Sequence, residues 1–504
     1  MPEQTTDKPV QLPMVEEIDE AALAKEAAYL AEVSEKNLGA RLGAYAKLTG
    51  PGWLQGAMTL GGGSAASSLL VGTLAGYDLL WVQPLALVTG IIMLMAIGRL
   101  SLSTRLPPFE AVSRYAHPAL AWAWALASLV ASMIWCLPQF SLTESVFRDF
   151  ATQMGMDVSS PLRSGVFSTS VSLAVLFVTL SITLNYGKNQ RWIRRYEWVL
   201  KLMVAMIVVS FLIVVIKVDV DWGRVWRGFF GFHLPRDSVA VGVVITAFAN
   251  AVGINMTFLF PYTLIAKGWG KEHRGLAVFD LWTGLFVPFV FATSLISIAS
   301  AATLHGTFDL SGDMKPQAVD LAIALEPLAG EKASHFVFGL GILGMTVSTI
   351  TLLMLVCGFI VSELAGGRSR KPFVVGAFLP AVGVLGPVVW TRYGFWMAVP
   401  VSNVTYFLMP IAYLTFMILM NRRAFLREEM PSGIKRVAWN AAMGMVLLIV
   451  AFGGCYKFHF GPGGAKSWAL SEWSVWSGAY AIVMIVVFLG GIYTILFPPE
   501  PRSK

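Results

Sequence analysis

The chain has 504 residues, 56% of them hydrophobic and only 13% charged. A water-soluble domain carries about a quarter charged residues, so composition alone points away from a soluble globule. The formal net charge of +7 does not signal nucleic-acid binding, because the basic residues sit in short loops between apolar runs. The three cysteines, Cys136, Cys357 and Cys455, lie in or beside apolar segments and suggest neither a disulfide framework nor a zinc motif.

Residues 1–47 form a polar arm, acidic at first (Glu16, Glu17, Asp19, Glu20), without the apolar stretch of a signal peptide. Within it, residues 19–36 are helix formers and read either as a short amphipathic helix or as a solvated arm. Apolar runs then fall at about 49–75, 80–104, 119–147, 164–185, 197–217, 238–267, 276–304, 334–362, 372–391, 395–420, 437–456 and 474–497. Segments 166–184 and 479–497 carry no charge over a length that crosses the hydrocarbon. Since a spanning backbone must satisfy its own hydrogen bonds, these runs are helices. The expectation is an all-α integral membrane protein of about twelve spans. Residues 48–420 form a ten-helix core, with repeats at about 48–217 and 238–420. Residues 421–497 add two spans, and residues 498–504 form a tail.

Alternate loops are basic: Arg105 and Arg114; Lys188, Arg191, Arg194 and Arg195; Lys267, Lys271 and Arg274; Arg368, Arg370 and Lys371; then Arg422, Arg423, Arg427, Lys435 and Arg436. The opposite loops are mixed or acidic (Asp309, Asp313, Lys315, Asp320, Glu326, Glu331). The positive-inside rule therefore predicts that both termini are cytoplasmic; in a prokaryote the membrane would be the inner one. Trp81, Trp192, Trp222, Trp226, Trp390 and Trp396 stand near predicted span ends, as interfacial anchors do. The longest outside segments, about 218–237 and 305–333, read as caps, gating loops or plain connectors.

Two spans carry breaks. In the first, Gly61-Gly62-Gly63-Ser64 places three consecutive glycines mid-membrane, each costing a helix about 1 kcal/mol relative to alanine. Such a break is tolerated where it lines a cavity. Ser64 is expected to cap the second half-helix, whose positive end then points at the midplane. Close helix packing through small residues is the competing reading. In the sixth span Pro261 removes a helix donor and clashes one turn back, while Gly253, Asn250 and Asn255 supply flexibility and polar atoms; a proline kink alone is the competing reading. Breaks in corresponding members of two five-helix repeats are a sequence pointer to a transporter's midplane site.

Ionisable residues within spans are scarce. Glu144 and Asp280 are candidates for an ion or proton path, with Gln139 beside them as a polar candidate. The six histidines (His117, His233, His273, His305, His335, His459) all fall in loops or at span ends.

Gly50-Pro51-Gly52-Trp53-Leu54, the broken first span, and Gly76-Tyr77-Asp78-Leu79-Leu80-Trp81 resemble the Nramp family of divalent-metal transporters. Pro400-Val401-Ser402-Asn403-Val404 resembles that family's tenth-span Ser-Gln-Val stretch. The resemblance implies a LeuT-like fold of the amino acid–polyamine–cation superfamily, a 5+5 inverted repeat with helices 1 and 6 interrupted at the midplane. The departures fall on the chemistry. The family's Asp-Pro-Gly-Asn is replaced by Gly61-Gly62-Gly63-Ser64. Its sixth-span Met-Pro-His falls near Thr257-Phe258-Leu259, which has neither thioether nor imidazole at those positions, Met256 being one residue away. Asn403 stands for the tenth-span glutamine.

The resemblance places the substrate at Leu60, Gly61, Gly62, Gly63, Ser64, Asn255, Thr257 and Asn403. Gly61, Thr257 and Asn403 occupy the positions of the family's metal site. Without a carboxylate, a bare transition metal is poorly served. Three readings stay open. The first is a secondary transporter of a divalent cation that keeps part of its water, such as magnesium. The second is a transporter of a small anion or carboxylate, held by amides at Gly62, Gly63 and Ser64. The third is a channel or membrane enzyme, disfavoured because no nucleophile–base pair and no phosphate-binding loop is present. No cofactor is implied. The expected partners are the transported ion or solute and the lipid bilayer, with no nucleic acid; oligomeric state is not legible.

Overall fold

The structure is a computed structural model. It describes residues 12, 15, 18–158, 160–186, 188, 190–233, 238–306, 330–367, 369–389 and 398–460. The expected twelfth span, the 498–504 tail, Trp390, Trp396 and the acids Asp309 to Glu326 lie outside the described residues.

The arm forms α1 (Glu20–Ser34) and α2 (Leu38–Leu48), so the helical reading of residues 19–36 holds. Asp19 and Asn37 cap them, accepting the Ala22 and Ala40 amides at 3.0 and 2.9 Å. The first predicted span is two helices, α3 (Pro51–Thr59) and α4 (Gly62–Ala75), separated at Leu60–Gly61. Pro51 opens α3 with its fixed φ already helical. There follow α5 (Val82–Thr104), the short α6 (Pro108–Tyr115), α7 (Pro118–Gln153), α8 (Pro161–Asn185), α9 (Gln190–Lys217) and the nine-residue α10 (Trp222–Phe230).

The sixth span is again split, into α11 (Ser238–Ala251) and α12 (Ile254–Ala266). Next come α13 (Arg274–Asp280), a π-helical turn (Leu281–Phe286) and α14 (Val287–Thr303), which together make the seventh span. Then follow α15 (Glu331–Leu364), α16 (Lys371–Phe378), a 3-10 turn (Leu379–Leu385), α17 (Gly386–Val389), α18 (Ala398–Met420), α19 (Arg423–Leu426) and α20 (Gly433–Phe460).

Among the described residues, nine helices are long and apolar enough to cross a membrane, ten if a bent pair at α18 is one span. The broken first span adds to these, each half being too short to count alone. Burial sorts them into layers. In α15, 83% of the spanning window is buried, against 22% in α8. The broken sixth span has 78% of its window buried, and nearly all of the broken first span is buried too, the surroundings in which freed backbone groups are tolerated.

The sixth-span break is not at Pro261. The chain leaves the helix at Val252–Gly253, and Pro261 lies inside α12, wholly buried. Gly253 adopts an extended conformation (φ −89°, ψ 157°), and neighbouring side chains supply its break with hydrogen bonds. The proline is accommodated because it removes one donor from a helix packed on all sides.

Candidate functional site

The two breaks meet. A cavity lies between them, lined by Met58, Thr59, Gly61, Gly63 and Ser64 of the first span and Ala249, Asn250, Gly253, Asn255 and Met256 of the sixth. Trp135 and Gln139 of α7 and Thr349 and Leu353 of α15 close it. It offers about 40 Å³ to the centres of water molecules, room for about three waters. Thr59, Ser64, Gln139, Asn250, Asn255, Met256 and Thr349 are all buried, while Trp135 and Gly253 are only half-buried, so the space is deep but not sealed.

Side chains quench the positive half-helix ends facing this space. The Gly62 amide, first in α4, donates to Gln139 Oε1 at 2.9 Å. At the start of α12, the Met256 amide donates to Asn255 Oδ1 (3.0 Å) and the Gly253 amide to Met256 Sδ (3.3 Å). Ser64 does not cap α4 as expected. Gly61 holds the cap position, and the Ser64 hydroxyl donates back to the Thr59 carbonyl and, at 3.5 Å, to the Asn250 carbonyl. Thr59 Oγ1 donates to Met256 Sδ at 3.0 Å and lies 3.3 Å from the Ala251 carbonyl. The Thr59 and Ser64 hydroxyls thus tie the breaks together through the Met256 thioether and the Ala251 and Asn250 carbonyls, while two amide side chains, Gln139 and Asn255, take up freed amides.

Gly61 has Gln139 and Thr349 around it: a Cβ there would lie 2.7 Å from Thr349 Oγ1 and 3.3 Å from Gln139 Nε2. The room that an aspartate side chain would need is filled by a neutral amide and a hydroxyl. Gly63 faces Trp135 and Asn250 Oδ1, whose distances to a Cβ would be 2.4 and 2.7 Å. Asn250 Oδ1 also accepts the Ser402 hydroxyl of α18 at 2.8 Å.

Of the residues expected to hold substrate, Gly61, Gly63, Ser64 and Asn255 line the cavity, while Leu60 and Gly62 do not. Thr257 also lies apart. It is buried, donates to the Ile254 carbonyl (2.5 Å) and accepts Trp124 Nε1 (2.9 Å). Met256, set aside in the sequence as one residue off, lines the cavity, so a soft sulfur is present after all. A single-residue step turns a helical side chain by about 100°, enough to exchange Thr257 for Met256. The side chain of Asn403 lies outside the described residues. The sequence reading also passed over Trp135 and Thr349, which stand on unbroken spans without a local signal.

The path candidates separate. Gln139 belongs to the cavity. Glu144 is paired with Arg148 (2.5 Å) and accepts the Ser168 hydroxyl (2.8 Å), which makes it a neutralised buried group. Asp280 sits at the far end of α3, where Oδ2 accepts the Gly50 and Gly52 amides. Around it gather Lys267, which pairs with Glu197 at 3.3 Å, and Lys201, which donates to the Thr49 carbonyl at 3.0 Å. Among the described residues no group of three or more His, Cys, Asp or Glu is placed to hold a metal ion.

The sequence profile of the natural resistance-associated macrophage protein-like family, Nramp, matches residues 52–453. The chain belongs to the Nramp family. A divalent metal cation transporter of Agrobacterium fabrum, MntH, is 26% identical over 354 residues, covering 66% of this chain and 71% of that protein. A manganese transporter of Eremococcus coleocola superposes with a TM-score of 0.67 at 14% identity, covering 92% of this chain and 96% of that one. MhsT, solved with L-phenylalanine, gives a TM-score of 0.55 at 13% identity over 80% of this chain and 98% of that one. These likenesses show the LeuT-like fold expected from the sequence. The Nramp relatives are named as transporters of metal cations, not as enzymes. This Nramp chain therefore keeps the fold and both broken spans while presenting a carboxylate-free cavity at the breaks.

Proposed function

We propose that the chain carries a divalent cation across the bilayer by alternating access, and that the ion keeps part of its water shell in the cavity. The observation that carries this reading is the bonding at the breaks. The Gly62, Gly253 and Met256 amides already donate to Gln139, Met256 and Asn255. Three of the amides at the breaks are therefore already taken, Gly62 among them, whereas hydroxyl, amide and carbonyl oxygens face the space. That ordering disfavours the anion reading.

The absence of a carboxylate from the cavity lining argues for a hydrated ion over a bare one. Magnesium holds its waters reluctantly released, at near-ideal octahedral geometry, and protein groups then contact it through them. Neutral oxygens at Thr59, Asn250, Asn255, Gln139 and Thr349 suit that outer-shell role. The Met256 thioether is the softer ligand, and it favours manganese over magnesium only for an ion that sheds water. Rocking of the broken-span bundle against the surrounding helices would expose the cavity to each side in turn. In this reading the face bearing α1 and α2 is cytoplasmic.

Calorimetric titration of the purified chain with magnesium, manganese, calcium and acetate at fixed pH tests the assignment. Saturable heats with magnesium, weakened in Asn250→Ala, are expected. Binding of acetate without binding of any divalent cation would contradict it.

A further inference from the structure

The helix α10 has a two-sided character that the transport site does not use. Its inner side is fixed: Val225 is buried, and Gly228 sits so close to the preceding turn that a Cβ would lie 1.9 Å from the Tyr77 carbonyl oxygen. The Gly228 carbonyl accepts the Trp81 amide at 3.2 Å. The Trp81 indole donates to the His233 carbonyl at 3.1 Å, and its ring lies 5.7 Å from that of Phe232. The outer side is an aromatic stripe at helical spacing. Trp222, Trp226 and Phe230 are 56%, 63% and 68% exposed, and the last two rings stack at 5.6 Å. Two guanidiniums flank it. Arg224 lies over the Tyr77 ring at 5.5 Å and Arg227 donates to the Gly223 carbonyl at 3.3 Å. Neither forms an ion pair among the described residues.

Position supplies the occupant. The chain enters α10 four residues after α9 ends, and α9 exposes Val209, Leu212, Ile213 and Ile216 along its final turns. Those residues form the lipid-facing wall of a spanning helix, so an aromatic stripe that follows directly lies at the depth of the headgroups. Large aromatic side chains with flanking arginines are the composition of helices that lie in that plane. Guanidinium forks match phosphate oxygens.

We propose that α10 is a membrane-interface anchor that binds phospholipid, with Trp222, Trp226 and Phe230 in the acyl–glycerol layer and Arg224 and Arg227 on headgroup phosphate. The anchor has mechanical reach. Through Trp81 it grips the turn that follows α4, and through His233 it adjoins the segment that leads to α11. It therefore ties the outer halves of both broken spans to one leaflet, on the face opposite the arm.

The test uses the full chain in nanodiscs of phosphatidylcholine with or without phosphatidylglycerol. Phe230→Cys is labelled with an environment-sensitive fluorophore, the native cysteines being buried. The expected result is several-fold stronger quenching by lipid-borne nitroxide near the headgroup than by aqueous iodide. Quenching by iodide as strong as for the free dye overturns the proposal. Protection from both quenchers, as when a second copy covers the face, overturns it too. Independently, Arg224→Gln/Arg227→Gln should retain several-fold less phosphatidylglycerol than wild type in native mass spectrometry. Equal retention removes the phosphate contact, even where the labelled variant does not fold.

Discussion

Asp280 Oδ2 accepts the Gly52 amide at 2.7 Å, so a carboxylate of the seventh span caps the first half-helix of the first. It also accepts the Gly50 amide at 3.0 Å, and the negative group stands where the α3 dipole is positive. The approach is as close as glycine allows. A Cβ on Gly52 would lie 2.1 Å from the Asp280 carbonyl oxygen, and one on Gly56 would lie 2.1 Å from the Gly284 carbonyl oxygen. Gly284 belongs to the π-helical turn that follows Asp280. The inner half of the first span thus rides on the seventh, and any tilt of α3 must carry the π turn along or break this cap.

Asp280→Ala should lower the stability of the purified chain by about 2–3 kcal/mol, the scale of lost hydrogen bonds to a charged group. Asp280→Asn, which keeps an oxygen for Gly52, should lose less. Thermal unfolding in detergent reads both. Equal loss in the two variants would place the effect in packing and not in the cap.

Met256→Leu distinguishes hard from soft coordination. If the ion keeps its waters, magnesium flux in proteoliposomes should change by less than about threefold, under 0.7 kcal/mol on the scale where about 1.4 kcal/mol is tenfold. Collapse of magnesium flux in this variant, with normal folding, would mean that the sulfur or its bond to Thr59 is required.

Gly61→Asp alone should fold poorly or transport weakly, because its side chain enters the space of Thr349 and Gln139. Gly61→Asp/Thr349→Ala relieves the crowding and brings a carboxylate into the cavity that Met256 also lines. It should gain manganese binding by calorimetry relative to wild type. No gain would show that charge and sulfur at these positions do not suffice.

On the arm, burial pushes the Glu26 carboxyl up, but His273, whose Nε2 lies 3.5 Å away, the nearby Lys267 and the Trp269 indole outweigh this, leaving it below its ordinary value. A depressed folded value means that the docking contribution is present above the unfolded carboxylate pKa, about 4.3, and is lost as pH falls through the folded value. Proteolysis of the arm should therefore be slow at neutral pH, faster in acid, and fast at both in Glu26→Ala. A rate insensitive to both changes would separate Glu26 from docking.

Hydropathy and loop charge made the spans legible because lipid leaves the backbone no other solution than a helix. Gly61-Gly62-Gly63 marked the first break for the same reason. Of the residues that flagged the sixth span, Gly253 marks the break and Pro261 does not, since a proline removes one donor whereas Gly253, with Asn255 and Met256 after it, lets the chain leave the helix and supplies acceptors for the freed amides. The site residues depended on register. Met256 and Thr257 differ by about 100° of rotation, and a motif one residue out of alignment cannot choose between them. First-turn residues after a break face it, a rule that would have added Met256 to the already named Asn255. Thr349 and Trp135 were beyond reach, because unbroken helices reveal which face is central only once packed.

The most direct measurement is magnesium entry into proteoliposomes holding an ion-sensitive dye, with wild type beside Gly63→Ala. A Cβ on Gly63 would lie 2.4 Å from the Trp135 ring and 2.7 Å from Asn250 Oδ1, so these two cavity-lining side chains must shift to admit it. Saturable magnesium entry in wild type, lost in a folded Gly63→Ala, is the predicted result. Wild-type protein that admits no divalent cation, or a folded Gly63→Ala that admits magnesium at the wild-type rate, would contradict a cation path through the meeting point of the two breaks.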